Sequence, residues 1–132
     1  MKTKLFIVLV LTTASNNLMA NATSQMFDEY RKDGVTVFNT DAGKTLWNKQ
    51  FKNKKTGKPQ NCASCHGSDL TQDGKHVRTG KKISPMALSA NPKRYTDVKK
   101  IKKWFKRNCK WTIGRECNAQ EQADILSYLI KQ

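Results

Sequence analysis

Apolar residues along this chain recur three and four positions apart, the spacing of helices with one buried face. Nowhere do they alternate long enough to read as a half-buried strand. A solid apolar run occupies residues 5–11, behind Lys2 and Lys4. A first amphipathic helix is expected over residues 24–32, stopped by Gly34. A second begins with Thr40 or Asp41 as its cap, and Leu46, Trp47, Gln50 and Phe51 form its body. KNKKTGKPQN then reads as a basic, turn-rich loop, and residues 67–91 as extended polar loop, with Gly74, Gly80 and Pro92 as breakers. Thr96 caps a third helix, with Asp97 in its first turn. Val98, Ile101, Trp104 and Phe105 share one face of it, lysines cover the other, and Asn108 ends it before a loop from Cys109 to Cys117. Asn118, with Glu121 three residues on, opens a last helix carrying Ala123, Ile125, Leu126, Tyr128, Leu129 and Ile130. The pattern is all-α, without repeats.

The first stretch has the marks of a secretory leader. Two lysines precede the apolar run and Ala20-Asn21-Ala22 supplies a small-residue exit, so residues 1–22 are expected to be removed, with the cut after Ala22. The run is too short to span a bilayer, which takes about 20 apolar residues. Residues 23–39 then form an N-terminal extension or helix, and residues 40–132 one domain. The implied location is the periplasm, without stable membrane insertion.

Charge narrows the partners. The full chain carries +15, and the leader removes two lysines and no acid, leaving +13. Such a surface steers toward anionic partners. Export argues against chromosomal DNA, and the aromatic residues fall at helix-core spacing instead of forming a stacking surface, so no nucleic acid is expected.

All four cysteines lie after the leader, where thiols oxidise unless something occupies them. Cys62-Ala63-Ser64-Cys65-His66 is the attachment signal for c-type haem. Two thiols separated by two residues on a helical turn match the two vinyl groups on one porphyrin edge, and the adjoining imidazole supplies the proximal nitrogen to iron. A thiol–disulfide centre would need a βαβ setting, which the chain lacks. A zinc site would join these cysteines to Cys109 and Cys117, but a second C-x-x-C is missing. One haem c per chain is expected, held by Cys62, Cys65 and His66.

The residues alone leave the distal iron ligand open. Methionine is the common choice in electron carriers. Met86 follows a proline, yet stands only 20 residues after His66. His76 lies in a turn-rich stretch and is expected to face solvent. Asn108 comes 42 residues after His66, room enough for the chain to round the haem edge.

DAGKTLWNKQF resembles the N-terminal helix of class I cytochromes c, with Gly43 and Trp47 four apart, and DILSYLI resembles their C-terminal helix, with Ile125 and Tyr128 three apart. The T-G-K-x-I-x-P loop, K-W-F-x-R-N-C and G-R-E-C before the last helix are similar to the sphaeroides haem protein family, monohaem cytochromes c of bacterial periplasms. That resemblance covers roughly residues 41–129 and implies the class I cytochrome c fold around one haem. It also implies that Asn108 binds the distal iron and that Cys109 pairs with Cys117, with Met86 left to pack on the haem.

An amide oxygen is a hard, weak ligand suited to ferric iron. The expected behaviour is electron transfer with a high-spin haem whose sixth position opens on reduction to O2, NO or CO; the alternative is a Met86-ligated carrier without gas chemistry. Reductase activity toward oxygen or nitric oxide stays open beside plain electron transfer. The family implies electrons from an acidic partner such as a dihaem cytochrome c. Pro85 is the expected carbonyl acceptor for the other His66 nitrogen. Trp104, Phe105 and Trp111 are candidate haem walls, and Arg78 or Lys82 candidate propionate partners.

Overall fold

The computed structural model of the chain describes the backbone from residue 16, and side chains from residue 22, to the C-terminus. Most of the expected leader lies outside the described residues. The elements are α1 (Asn16–Lys32), α2 (Thr40–Asn48), β1 (Phe51–Lys52), β2 (Pro59–Gln60), α3 (Ala63–His66), β3 (Gly74–Lys75), β4 (Lys82–Ile83), α4 (Val98–Thr112) and α5 (Ala119–Ile130). β1 pairs antiparallel with β2, and β3 with β4, each ladder two residues long. The described residues are mainly helical, as the all-α pattern predicts.

Capping side chains fix the helix ends, and they shift two expected starts by one residue. Asn39, not Thr40 or Asp41, caps α2: its Oδ1 accepts from Asp41 N and Ala42 N, both at 3.0 Å. α2 stops at Asn48, so Gln50 and Phe51 fall outside it, and Phe51 is claimed by the β1–β2 hairpin. Asp97, not Thr96, caps α4 by accepting from Lys100 N at 3.1 Å. α4 continues a full turn past Asn108, because Ile113 N and Gly114 N both bond Cys109 O and the chain turns only at Gly114, φ 88°. The loop expected from Cys109 is therefore helical as far as Thr112. At α5 the capping box forms as expected, between Asn118 and Glu121.

The α2–α5 crossing is as close as backbones allow. A Cβ on Gly43 would lie 2.0 Å from Asp124 O, 2.5 Å from Asp124 C and 3.0 Å from Ile125 N, so only glycine fits. One turn on, Trp47 packs against Tyr128 with ring centroids 6.2 Å apart. Asn39 N donates to Asp124 Oδ1 at 2.7 Å and anchors the start of α2 to the same helix. Trp47, Leu70, Met86, Ile125, Tyr128 and Leu129 form the core on this side.

A second core lies under α1. Met26, Tyr30 and Val35 pack with Ile101 of α4 and Ala123 and Leu126 of α5. Met26 is 1 % exposed, so the N-terminal helix packs onto the domain; burying that one side chain contributes about 2 kcal/mol. Tyr30 Oη donates to Gln122 Oε1 at 3.4 Å. α1 is continuous through the expected cut after Ala22. No helix among the described residues is long and apolar enough to cross a membrane.

Candidate haem site

The cysteine motif is a single turn, α3, and its neighbours hold it rigidly. Asn61 Oδ1 accepts from Ser64 N at 2.8 Å and from Ser64 Oγ at 2.9 Å. Asn61 Nδ2 donates to Asn48 O at 3.1 Å, and Cys62 N to Trp47 O at 3.2 Å, which ties the turn to the end of α2. Gly67 ends α3 with φ 78°. β3 then returns across the motif so closely that a Cβ on Gly74 would lie 2.3 Å from Cys65 O.

Cys62 and Cys65 are not bonded to each other, and burial pushes the Cys62 thiol up to about 12. A thiol so reluctant to ionise is a poor disulfide-exchange centre. Cys109 and Cys117 are bonded to each other, S–S 2.02 Å, and so cannot complete a four-cysteine zinc set. Burial, helped by the positive charge of Arg94 and by His76, lowers His66 to about 4, leaving a neutral imidazole able to ligate iron.

These residues open onto a cavity of about 720 Å³ lined by Cys62, Cys65 and His66 from the motif and by Asn108 and Trp111 from α4. Its size falls within the usual range for cofactor-sized ligands, about 300–1,000 Å³. Trp47, Ile83, Met86 and Trp104 supply apolar wall. Among the described residues no Asp or Glu lines it, whereas seven lysines and arginines do, Arg78, Lys82 and Arg94 among them. Two buried polar atoms of its lining residues, Trp47 Nε1 and His66 Nδ1, lack any protein partner. A flat apolar macrocycle bearing carboxylates and a metal suits each feature: apolar walls, a basic lining without a carboxylate of its own, and an unprotonated imidazole.

Several expectations land elsewhere. Pro85 O accepts from Arg94 Nε at 2.7 Å and Asn91 Nδ2 at 3.3 Å, while His66 Nδ1 has no partner. His76 does not face open solvent: it is half-buried in the cavity wall, its Nδ1 accepting from Arg78 N and Thr79 N, both at 3.2 Å. Arg78 stacks over the Trp111 ring at 5.3 Å, and Lys82 pairs with Asp73 at 2.6 Å. Trp104 lines the cavity yet is 49 % exposed, held under the Arg107 guanidinium. Phe105 instead lines an adjoining apolar cleft of about 70 Å³, together with Met86 and Asn108. Both candidate distal ligands thus border the same space.

Tyr95 carries no motif signal. Its backbone is left-handed, φ 57°, which is costly for a bulky residue, and its Oη donates to Met86 O at 2.9 Å. It fixes the loop that delivers Met86 to the cavity.

Residues 33–129 match a family model described as a domain of unknown function, DUF1924. The chain is 49 % identical over 78 residues to cytochrome c-type protein SHP of Cereibacter sphaeroides, covering 58 % of this chain and 60 % of the relative. It is 38 % identical over 90 residues to cytochrome c'' of Methylophilus methylotrophus, covering 68 % and 62 %. The solved structure of oxidised SHP, an oxygen-binding cytochrome c, superposes with TM-score 0.76 at 37 % identity, over 83 % of this chain and 96 % of that one. Oxidised cytochrome c'' superposes with TM-score 0.68 at 30 % identity, over 89 % and 94 %. The chain belongs to the SHP-like cytochrome c family.

It spans 60–62 % of the length of the curated relatives that it matches. Cytochromes c of this family carry one covalently bound haem c per chain, and the cavity above is built to take one. The K-W-F-x-R-N-C stretch that resembled the family lies on α4, and its Cys109–Cys117 bridge is present.

Proposed function

We propose that this chain is an exported electron-transfer cytochrome in which Cys62 and Cys65 form the haem thioethers, His66 holds the iron proximally and Asn108 guards it distally. The leader, residues 1–22, is removed and residues 23–39 remain as a helical extension on the domain. When bound, the haem supplies a one-electron couple and an iron able to take a diatomic gas. The observation that carries the reading is the placement of Asn108: a half-buried amide in the cavity wall, one residue before a disulfide and inside a continuous helix. Its amide oxygen is the donor that would hold the iron of a bound haem, and as a hard donor it would favour the ferric over the ferrous charge. The Cys109–Cys117 bridge would hold this stretch of backbone, leaving the amide side chain as the part free to move. Met86 and Asn108 border the adjoining cleft, whose apolar lining would suit a small neutral gas such as O2, NO or CO.

Lys99, Lys100, Lys103 and Lys106 form an exposed basic face on α4 that docks an acidic electron donor such as a dihaem cytochrome c. Such encounters are small and weaken with salt. One variant tests the distal assignment. Asn108→Ala in the holoprotein is expected to change the ferric visible spectrum while leaving haem attachment intact; an unchanged ferric spectrum overturns it. Met86, buried and bordering the same cleft, supports the second reading of a methionine-ligated carrier. In that case Met86→Ala, not Asn108→Ala, removes a near-infrared sulfur-to-iron band.

A further inference from the structure

Gln60 contributes to none of the chemistry above, yet its side chain is buried between the two halves of the site. It stands in β2, two residues before Cys62. Its Nε2 donates to Trp111 O at 2.6 Å and to Thr112 O at 3.2 Å, the last two carbonyls of α4. Helix ends leave such carbonyls without intrahelical partners, and burial makes the lack costly. Gln60 Oε1 accepts from Asn53 Nδ2 at 2.8 Å, which fixes which way the amide faces. Asn53 is held in turn, its Oδ1 accepting from Lys55 N at 2.8 Å and Thr56 N at 2.9 Å. One amide therefore joins the segment leading into the cysteine motif to the α4 turn that carries Asn108 and Trp111.

We propose that Gln60 is a positioning residue for the distal ligand: it sets where α4 ends relative to the cysteine motif, and so how firmly the Asn108 amide is held at the iron. The proposal rests on the Asn108 reading. Asn61, next in sequence, locks the motif turn, so displacement at Gln60 passes to the haem-bearing side with little slack. On the other side, Trp111 lies three residues after Asn108 and lines the same cavity, so moving its carbonyl tilts that turn of the helix.

The test uses the holoprotein with Gln60→Met, which keeps length and removes both donors, and Asn53→Leu, which frees the far side of the amide. Met26→Ala, in the α1 core away from the cavity, serves as a control that only destabilises. The readout is the rate at which added imidazole displaces the native distal ligand from ferric protein, followed by absorbance. Gln60→Met is expected to raise that rate roughly tenfold and Asn53→Leu by less, with no change for Met26→Ala, since an unanchored helix end leaves the amide off the iron more often. If Gln60→Met folds with haem and exchanges within twofold of the parent, Gln60 is a structural filler and the proposal is wrong. If Gln60→Met does not assemble, an Asn53→Leu rate equal to the parent overturns it likewise. An Asn108→Ala protein with an unaltered ferric spectrum removes the underlying ligand assignment instead, so the two failures are told apart.

Discussion

Gly43→Ala puts one methyl group where there is no room. The new Cβ would lie 2.0 Å from Asp124 O, whereas ordinary contact begins at 3.4 Å, so α2 and α5 must separate by about 1.4 Å at the crossing. The obstacle is backbone, which no rotamer change relieves. Overpacking of this kind costs about 1–3 kcal/mol, against which alanine's better helix propensity returns about 1 kcal/mol. Separation would also strain the Asn39 N to Asp124 Oδ1 bond and the Trp47–Tyr128 contact, so the upper half of that range is expected, about 1–2 kcal/mol net. Trp47 in turn packs on His66 with ring centroids 5.3 Å apart, so the proximal side shifts too. Denaturant unfolding of ferric holoprotein, followed by absorbance and by tryptophan fluorescence, measures the loss. A Gly43→Ala protein as stable as its parent would refute the close crossing, and with it the argument that glycine here is a packing requirement.

Cys117→Ser is expected to cost about 2–3 kcal/mol, the loop-closure value for so short a bridge, and to weaken the distal hold, seen as more high-spin ferric haem at an unchanged haem content. At the start of α5 the Arg115 guanidinium, bonded at 2.6 Å and 2.7 Å, holds the Glu121 carboxyl below its usual value of 4.5, helped by Asn118 N. A depressed carboxylate stabilises the fold above the unfolded value and loses that effect as pH falls through the folded value. Thermal stability should therefore drop on acidification below about pH 4.5, and Glu121→Gln should lower stability at neutral pH and flatten that acid limb.

Much of this site was legible because its chemistry demands contiguous residues. A covalent haem takes two thioether sulfurs and a proximal imidazole from one turn, so Cys62 to His66, proposed for that role, stand out in five letters. Gly43 with Trp47 and Ile125 with Tyr128 were readable for a similar reason: close crossing needs a missing side chain at a fixed helical spacing. Gln60, Asn53 and Tyr95 were not. Their roles are hydrogen bonds to carbonyls distant in sequence, or an unusual backbone angle, and neither leaves a pattern in residue types. That α1 packs onto the domain was not legible, because Met26 and Tyr30 find their partners only once α4 and α5 have crossed. The length of α4 was underestimated since Cys109 looked like a loop cysteine, although a bridge spanning eight residues can start inside a helix. Asn108 and Met86 both border the cavity, a meeting that the resemblance implied and that sequence spacing alone does not show.

The central claim is that an amide guards the distal iron and yields when an electron arrives. Visible and near-infrared spectra of the holoprotein, oxidised and then reduced with dithionite before and after addition of CO, test it most directly. The account predicts a ferric form without a sulfur-to-iron band and a high-spin ferrous form that CO converts at once. A strong near-infrared sulfur band, or a ferrous protein indifferent to CO, would contradict it.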